Sequence, residues 1–222
     1  MKTTISGLHR IGWIFLIIIS VQVMLSCNAS NAAKGTAIGA GTGAVIGGVI
    51  GHQSGNTALG AIIGATVGGA TGAIIGNHMD KQAAELKADL KGAKVERVGE
   101  GIKITFDSGL MFGFDSYALS TSTKDNLTGL AKTLNKYPDT NILIEGHTDK
   151  TGTDTYNMTL SENRSEAVED YLEVKKVKGS RITSKGYGEQ QLISEVDEVN
   201  RRVEVAIYAN KRMVKAAENG KL

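Results

Sequence analysis

In the stretch GHTDKTGTDTYNMTLSENR, from Gly146 to Arg164, an aspartate and an arginine stand fifteen residues apart. Asp149 sits in a run of Thr, Gly and Asp. Arg164 falls between Leu160 and Val168, in register with an apolar helical stripe that continues through Ala167, Tyr171 and Leu172. A guanidinium keeps its charge, so beside an apolar face it needs an anion or several acceptors within reach. Asn157, two helical turns before Arg164, points the same way, bringing a carboxylate, an amide and a guanidinium towards the start of one helix. Two chemistries fit. The first is a structural Asp–Arg pair that fastens loop to helix. The second is a grip on a ligand carrying both ammonium and carboxylate groups, with Asp149 accepting from the cation and Arg164 holding the anion in a bidentate fork. Spacing alone leaves both open.

Other chemistries find less support. Glu145, Asp149 and Asp154 could serve as acid–base carboxylates only at defined separations, which spacing does not supply. His147 adjoins Thr148 and Asp149 but has no second histidine at ligand spacing, since His52 and His78 lie far upstream. No Ser–His arrangement stands out, and the single cysteine, Cys27, lies near the N-terminus. Neither an enzyme nor a metal or cofactor is expected.

The elements that must position Asp149 and Arg164 can be read around them. AKVERV-GEG-IKITF alternates apolar and polar residues about a glycine turn, as a hairpin does. LSTSTKDNLTGLAKTLNKYP places Leu127, Leu130, Ala131 and Leu134 at helical spacing and stops at Pro138. TNILIEGH reads as a compact strand, and DTYNMTLSENRSEAVEDYLEV as a second helix capped by Thr153 or Asp154. RITSKGYG and RRVEVAIYA supply two further strands. Helices interleaved with strands predict an α/β (α+β) sandwich of βαβαβ type with its own core.

The first part of the chain is different. A basic start, MKTTISGLHR, precedes the apolar run IGWIFLIIISVQVML and then Ser26-Cys27, the layout of a secretory signal. Next, glycines recur every fourth residue from Gly35 to Gly55 and again from Gly60 to Gly76, in two tracts without charge. Residues four apart share a helix face, and small ones let backbones approach closely. That spacing predicts a helical hairpin packed glycine face to glycine face, within one chain or between copies. It suits a membrane-associated zipper, a soluble oligomerisation stalk or a spacer. MDKQAAELKADLKGAK follows as a polar helix. Removal of a signal containing Lys2 and Arg10 would take two of the 25 basic residues and leave them level with the 23 acidic ones. Such balance does not recommend nucleic acid as a partner.

Two resemblances add to this reading. The combination FGFDSYALS, ILIEGHTDKTGTDTYNMTLSENR, GYGE and NRRVE resembles the OmpA C-terminal-like, peptidoglycan-binding domain family, over residues 95–209. The resemblance implies a ligand, the diaminopimelate residue of the peptidoglycan stem peptide. It also implies that Asp149 and Arg164 clamp it, with Phe114, Asp115, Thr148, Asn157 and Leu160 lining the pocket. Ser165 replaces the family's alanine, and the loop 190–199 is short, without its usual proline. LSCN resembles a lipoprotein box, with Met24 where leucine is usual, which implies lipidation of Cys27. Asn28 then implies sorting to the outer membrane. The whole layout resembles the YiaD-type glycine-zipper outer-membrane lipoproteins. It divides the chain into a signal peptide (1–26), a lipidated N-terminus with zipper hairpin (27–79), a polar helical linker (80–94), the OmpA-like domain (95–209) and a basic tail (210–222). The function implied is a non-covalent tether between membrane and peptidoglycan, with the globular part in the periplasm. The alternative is an oligomerising zipper protein whose globular domain does not bind the wall.

Overall fold

The computed structural model describes residues 57–113 and 115–222; the expected signal peptide, Cys27, the first glycine tract and Phe114 lie outside them. The described elements are α1 (Thr57–Gly64), α2 (Gly69–Asp89), β1 (Ala93–Val98), β2 (Gly101–Asp107), α3 (Ser108–Met111), α4 (Thr121–Lys136), β3 (Thr140–His147), α5 (Asp154–Val174), β4 (Ile182–Gly186), α6 (Asp197–Asn200), β5 (Arg202–Ala209) and α7 (Lys211–Glu218). They build a mixed sheet in the order β1-β2-β5-β3-β4, in which only β3 and β4 run parallel. Helix α5 is the crossover between those two strands. The expected α/β sandwich is therefore present, with its hairpin, two principal helices and last strands in place.

The two principal helices start where the sequence supplies a cap. Ser120 Oγ accepts from the Thr123 N–H at the head of α4, and Thr153 Oγ1 accepts from the Tyr156 N–H at the head of α5. Alternation along the strands then separates two faces. Ile102, Ile104, Ile142, Ile144, Val203, Val205 and Ile207 point into one core with α2, α4, α5 and α7. The opposite face carries Leu143 and Ala206 beside charged residues, and α1 covers it with Ala58, Ala61 and Ile62.

Here the structure departs from the expected organisation. Within the described residues the second glycine tract is not one zipper helix: it breaks at residues 65–68, where Gly68 (φ 75°) and Gly69 (φ 62°) take left-handed backbone. The Glu100 carboxylate accepts from the Val67 and Gly68 N–H groups at 2.8 Å and pins this break to the β1–β2 turn. Helix α2 then runs unbroken through the expected boundary at 79/80. Ile75, Met79, Ala83 and Leu86 recur on one face of it and are buried in the core, so the linker expected at 80–94 is part of the folded body. The tail is likewise built in, because Met213 and Ala217 of α7 reach the same core. Among the described residues no helix is long and apolar enough to cross a membrane.

Two strand glycines bring α5 onto the sheet. A Cβ on Gly146 would lie 2.1 Å from the Ser161 carbonyl oxygen, and one on Gly186 would lie 2.4 Å from the Glu162 nitrogen. Both obstacles are helix backbone, which cannot swing aside. Gly146→Ala is therefore expected to lower unfolding stability by about 1–3 kcal/mol, the usual cost of overpacking, as measured by urea denaturation. Gly129→Ala serves as contrast. There the nearest atom would be 3.5 Å away, and the change should stabilise α4 by up to about 1 kcal/mol.

Candidate functional site

Strand β3 ends at His147, and the chain enters a tight loop before α5. The Thr148 N–H donates to the Gly188 carbonyl at 2.9 Å, tying the loop to the chain that leaves β4. Asp149 Oδ1 accepts from the Thr151 N–H at 2.8 Å, and Gly152 turns the chain with φ 114°. The Asn157 amide donates to the Asp149 carbonyl oxygen (3.3 Å) and to Glu189 Oε2 (2.6 Å). These bonds hold Asp149 at the mouth of a cleft of about 680 Å³ between the loop, α5 and the segment after β2.

Arg164 lies in the same cleft and is buried, as its place in the stripe requires. Its Nε donates to the Ser116 carbonyl at 3.1 Å, and its guanidinium sits 5.2 Å from the centre of the Phe112 ring. Among the described residues its two terminal amino groups make no hydrogen bond or ion pair. Two other buried arginines show what saturation looks like. Arg181 donates to the carbonyls of Leu134, Tyr137 and Thr140 and to Thr140 Oγ1. Arg202 donates to Glu204 Oε1 and to the carbonyls of Asn200 and Gln191. Burial lowers the Arg164 pKa from its ordinary value, with Asp115 and Asp149 acting in the opposite sense.

The salt bridge that spacing allowed between Asp149 and Arg164 does not form. Asp149 Oδ2 instead accepts from Arg201 Nη1 at 2.5 Å, and Arg201 Nη2 reaches Glu198 Oε1 at 3.1 Å. Burial of Asp149 pushes its pKa up, but the bonds from Arg201 and Thr151 outweigh this and hold it below the usual value. Of the seven residues expected at the pocket, Asp115, Thr148, Asp149, Asn157, Leu160 and Arg164 line the one cleft, and Phe114 lies outside the described residues. Arg201, Glu198, Phe112 and Ser116 complete the site and were not foreseen. The signal for Arg201 was present in NRRVE, where alternation at the start of a strand must send two adjacent arginines to opposite sides. The short loop before it is knitted by Asn200, whose Oδ1 accepts from the Ile193 and Ser194 N–H groups, and none of residues 190–199 lines the cleft.

A second group of titratable residues gathers beneath α1. Ligand-type atoms of Glu145, His147 and Glu204 lie within 4.8 Å of one another, all buried. Glu204 Oε1 already accepts from Arg202 Nε (2.8 Å) and Lys103 Nζ (3.4 Å). Glu204 is thus the acid of this layer that pairs with its two cations. His147 stacks on Tyr187, and burial depresses its pKa well below the ordinary value. Burial, then the neighbouring Glu204, pushes the Glu145 pKa up to about 8, with the Ala58 N–H and Arg202 pulling the other way.

Residues 111–205 match the OmpA family model, and residues 2–80 match the YMGG-like Gly-zipper model. The two matches fall on different parts of the chain, the OmpA family model on the sheet-forming part and the Gly-zipper model on the part before it. It is 36% identical over 139 residues to the probable lipoprotein YiaD of Escherichia coli (strain K12), a match covering 60% of this chain and 64% of that protein. To the peptidoglycan-associated lipoprotein of Pasteurella multocida it is 38% identical over 80 residues, 36% of this chain and 53% of that one. The chain thus spans less than two thirds of either relative. Among solved structures, the cell wall anchor of the T6SS from Pseudomonas aeruginosa superposes with a TM-score of 0.51 at 25% identity, over 60% of this chain and 97% of the other. All the residues lining the cleft except Ser108 and Gly109 fall within the stretch 111–205 that matches the OmpA family model.

The buried layer under α1 makes a pH-dependent prediction. Glu145 ordinarily titrates near 4.5 and near 8 in the fold, so the folded state holds the proton more tightly. The stability tied to that proton is fully present below about pH 4.5 and is lost as pH climbs through about 8. Glu145→Gln keeps the shape without the ionisation. Urea midpoints measured at about pH 5 and about pH 8.5 should differ less in this variant than in the wild type; an unchanged difference would mean Glu145 is already ionised in the fold.

Proposed function

We propose that the protein is a lipid-anchored outer-membrane protein that tethers the membrane to peptidoglycan without a covalent bond. Its cleft holds the zwitterionic amino-acid centre of diaminopimelate in the stem peptide. The observation that carries this reading is the buried Arg164, whose terminal amino groups have no partner among the described residues, facing the same cleft as Asp149. A guanidinium fixed through Nε alone presents its two remaining amino groups as a fork for a carboxylate. The Asp149 carboxylate offers the complementary acceptor for an ammonium group, with Thr148, Asn157, Leu160 and Asp115 around them. The names of two relatives support the same partner: one is a peptidoglycan-associated lipoprotein and the other a cell wall anchor. A lipid chain on Cys27 would supply the membrane end, and a second acyl chain would make that hold stable.

Co-sedimentation with purified sacculi tests the wall-binding half. Arg164→Ala and Asp149→Ala should each weaken binding by roughly 5- to 150-fold, because each leaves half of a zwitterion unpaired at about 1–3 kcal/mol. Free diaminopimelate in excess should release the wild type. Wild-type sedimentation by the double variant would sink the proposal in favour of an oligomerising zipper protein with an idle globular domain. The anchor is tested separately by metabolic labelling with a fatty acid, where Cys27→Ser is expected to abolish the label.

A further inference from the structure

We propose that Arg201 is a displaceable place-holder for the ligand's ammonium group, and that it makes the cleft reject amines that bring no carboxylate. This rests on the clamp reading above. The two arginines of the cleft are held in opposite ways. Arg164 is buried, bound through Nε to the Ser116 carbonyl and laid against the Phe112 ring. Arg201 has a side chain 37% exposed, and every contact it makes at the cleft is to a carboxylate: Asp149 Oδ2 through Nη1 and Glu198 Oε1 through Nη2. Both oxygens of Asp149 are engaged in this state, Oδ2 by Arg201 and Oδ1 by the Thr151 N–H.

An incoming ammonium group competes with Arg201 for Oδ2 of Asp149 and takes its place there. The exchange swaps one positive charge for another at the same carboxylate, so Asp149 is never left uncompensated. Arg201 keeps Glu198 and gains water, because Glu198 is 69% exposed and the guanidinium already meets solvent. The release is therefore cheap for a ligand that also reaches Arg164. A lone amine must displace Arg201 and gains no partner for Arg164. A zwitterion recovers the displacement through the second contact. Arg201 thus converts a site with one accessible carboxylate into one that scores two charges together.

The chemistry predicts different outcomes for two neighbouring substitutions, measured by calorimetric titration of the full chain with diaminopimelate and with 1,5-diaminopentane. Arg201→Met removes the competitor and should tighten diaminopimelate binding about threefold, the scale of a partly exposed ion pair. It should also make 1,5-diaminopentane bind measurably where the wild type does not. Glu198→Gln removes a contact that Arg201 keeps in both states and should leave diaminopimelate binding within about twofold of the wild type. The double variant should match Arg201→Met, since Glu198 acts only through Arg201. Wild type that binds diaminopimelate together with an Arg201→Met variant that binds it more weakly would overturn the place-holder and leave the clamp standing. Wild type that binds no diaminopimelate would overturn the clamp and the place-holder together.

Discussion

Helix α5 can lie directly against the ends of β3 and β4 because Gly146 and Gly186 present no side chain to the Ser161–Glu162 backbone. The rest of the site depends on that approach. Asp149 is three residues beyond Gly146, and Asn157 and Arg164 are carried on α5 itself, so the distance between strand end and helix sets the width of the cleft. Gly188 continues the constraint. It takes a left-handed backbone, its carbonyl accepts from Thr148, and its N–H donates to Ser161 Oγ. Strand, loop and helix are therefore fixed to one another by backbone, and the charged groups sit on a frame that ligand binding need not assemble.

What the sequence made legible follows from how local each signal is. Strand alternation, the Leu127–Leu134 stripe and the Thr153 cap are all settled by residues within a few positions of one another. The expected elements and the observed ones accordingly agree. The place of Arg164 was legible for the same reason, since helical register alone puts it on the buried side. Its pairing was not. Whether Asp149 meets Arg164 or Arg201 depends on where β5 enters the sheet, a contact across 52 residues that no local pattern encodes.

The glycine tract shows the opposite failure. Spacing by fours describes a small-residue helix face without saying what that face meets. In the described residues the tract is split by its own permissive backbone at Gly68 and Gly69, and the two pieces pack on opposite sides of one sheet. Helix α2 could have been joined to the domain from sequence, because Ile75, Met79, Ala83 and Leu86 form an apolar stripe that continues past the last glycine of the repeat. Helix α1 could not. Its partner surface is a sheet face bearing Glu145, His147 and Glu204, which alternation alone assigns to water.

The two polar regions of the domain meet at a single dipeptide. Arg202 begins β5 and turns towards the face under α1, where Glu204 lies two residues on and saturates it together with the carbonyls of Asn200 and Gln191. Arg201 stops one residue short of the strand and turns towards the cleft, where it finds Asp149 and Glu198. Because strand side chains alternate strictly, slipping β5 by one residue would exchange these two arginines. The buried layer would then hold a cation without its carboxylate, at the cost of an unpaired internal charge. Val203, Val205 and Ile207 on the core face, with Arg202 and Glu204 on the other, fix the register of β5, and that register presents Arg201 to Asp149. Residues that touch no part of the cleft thereby decide which arginine lies beside Asp149.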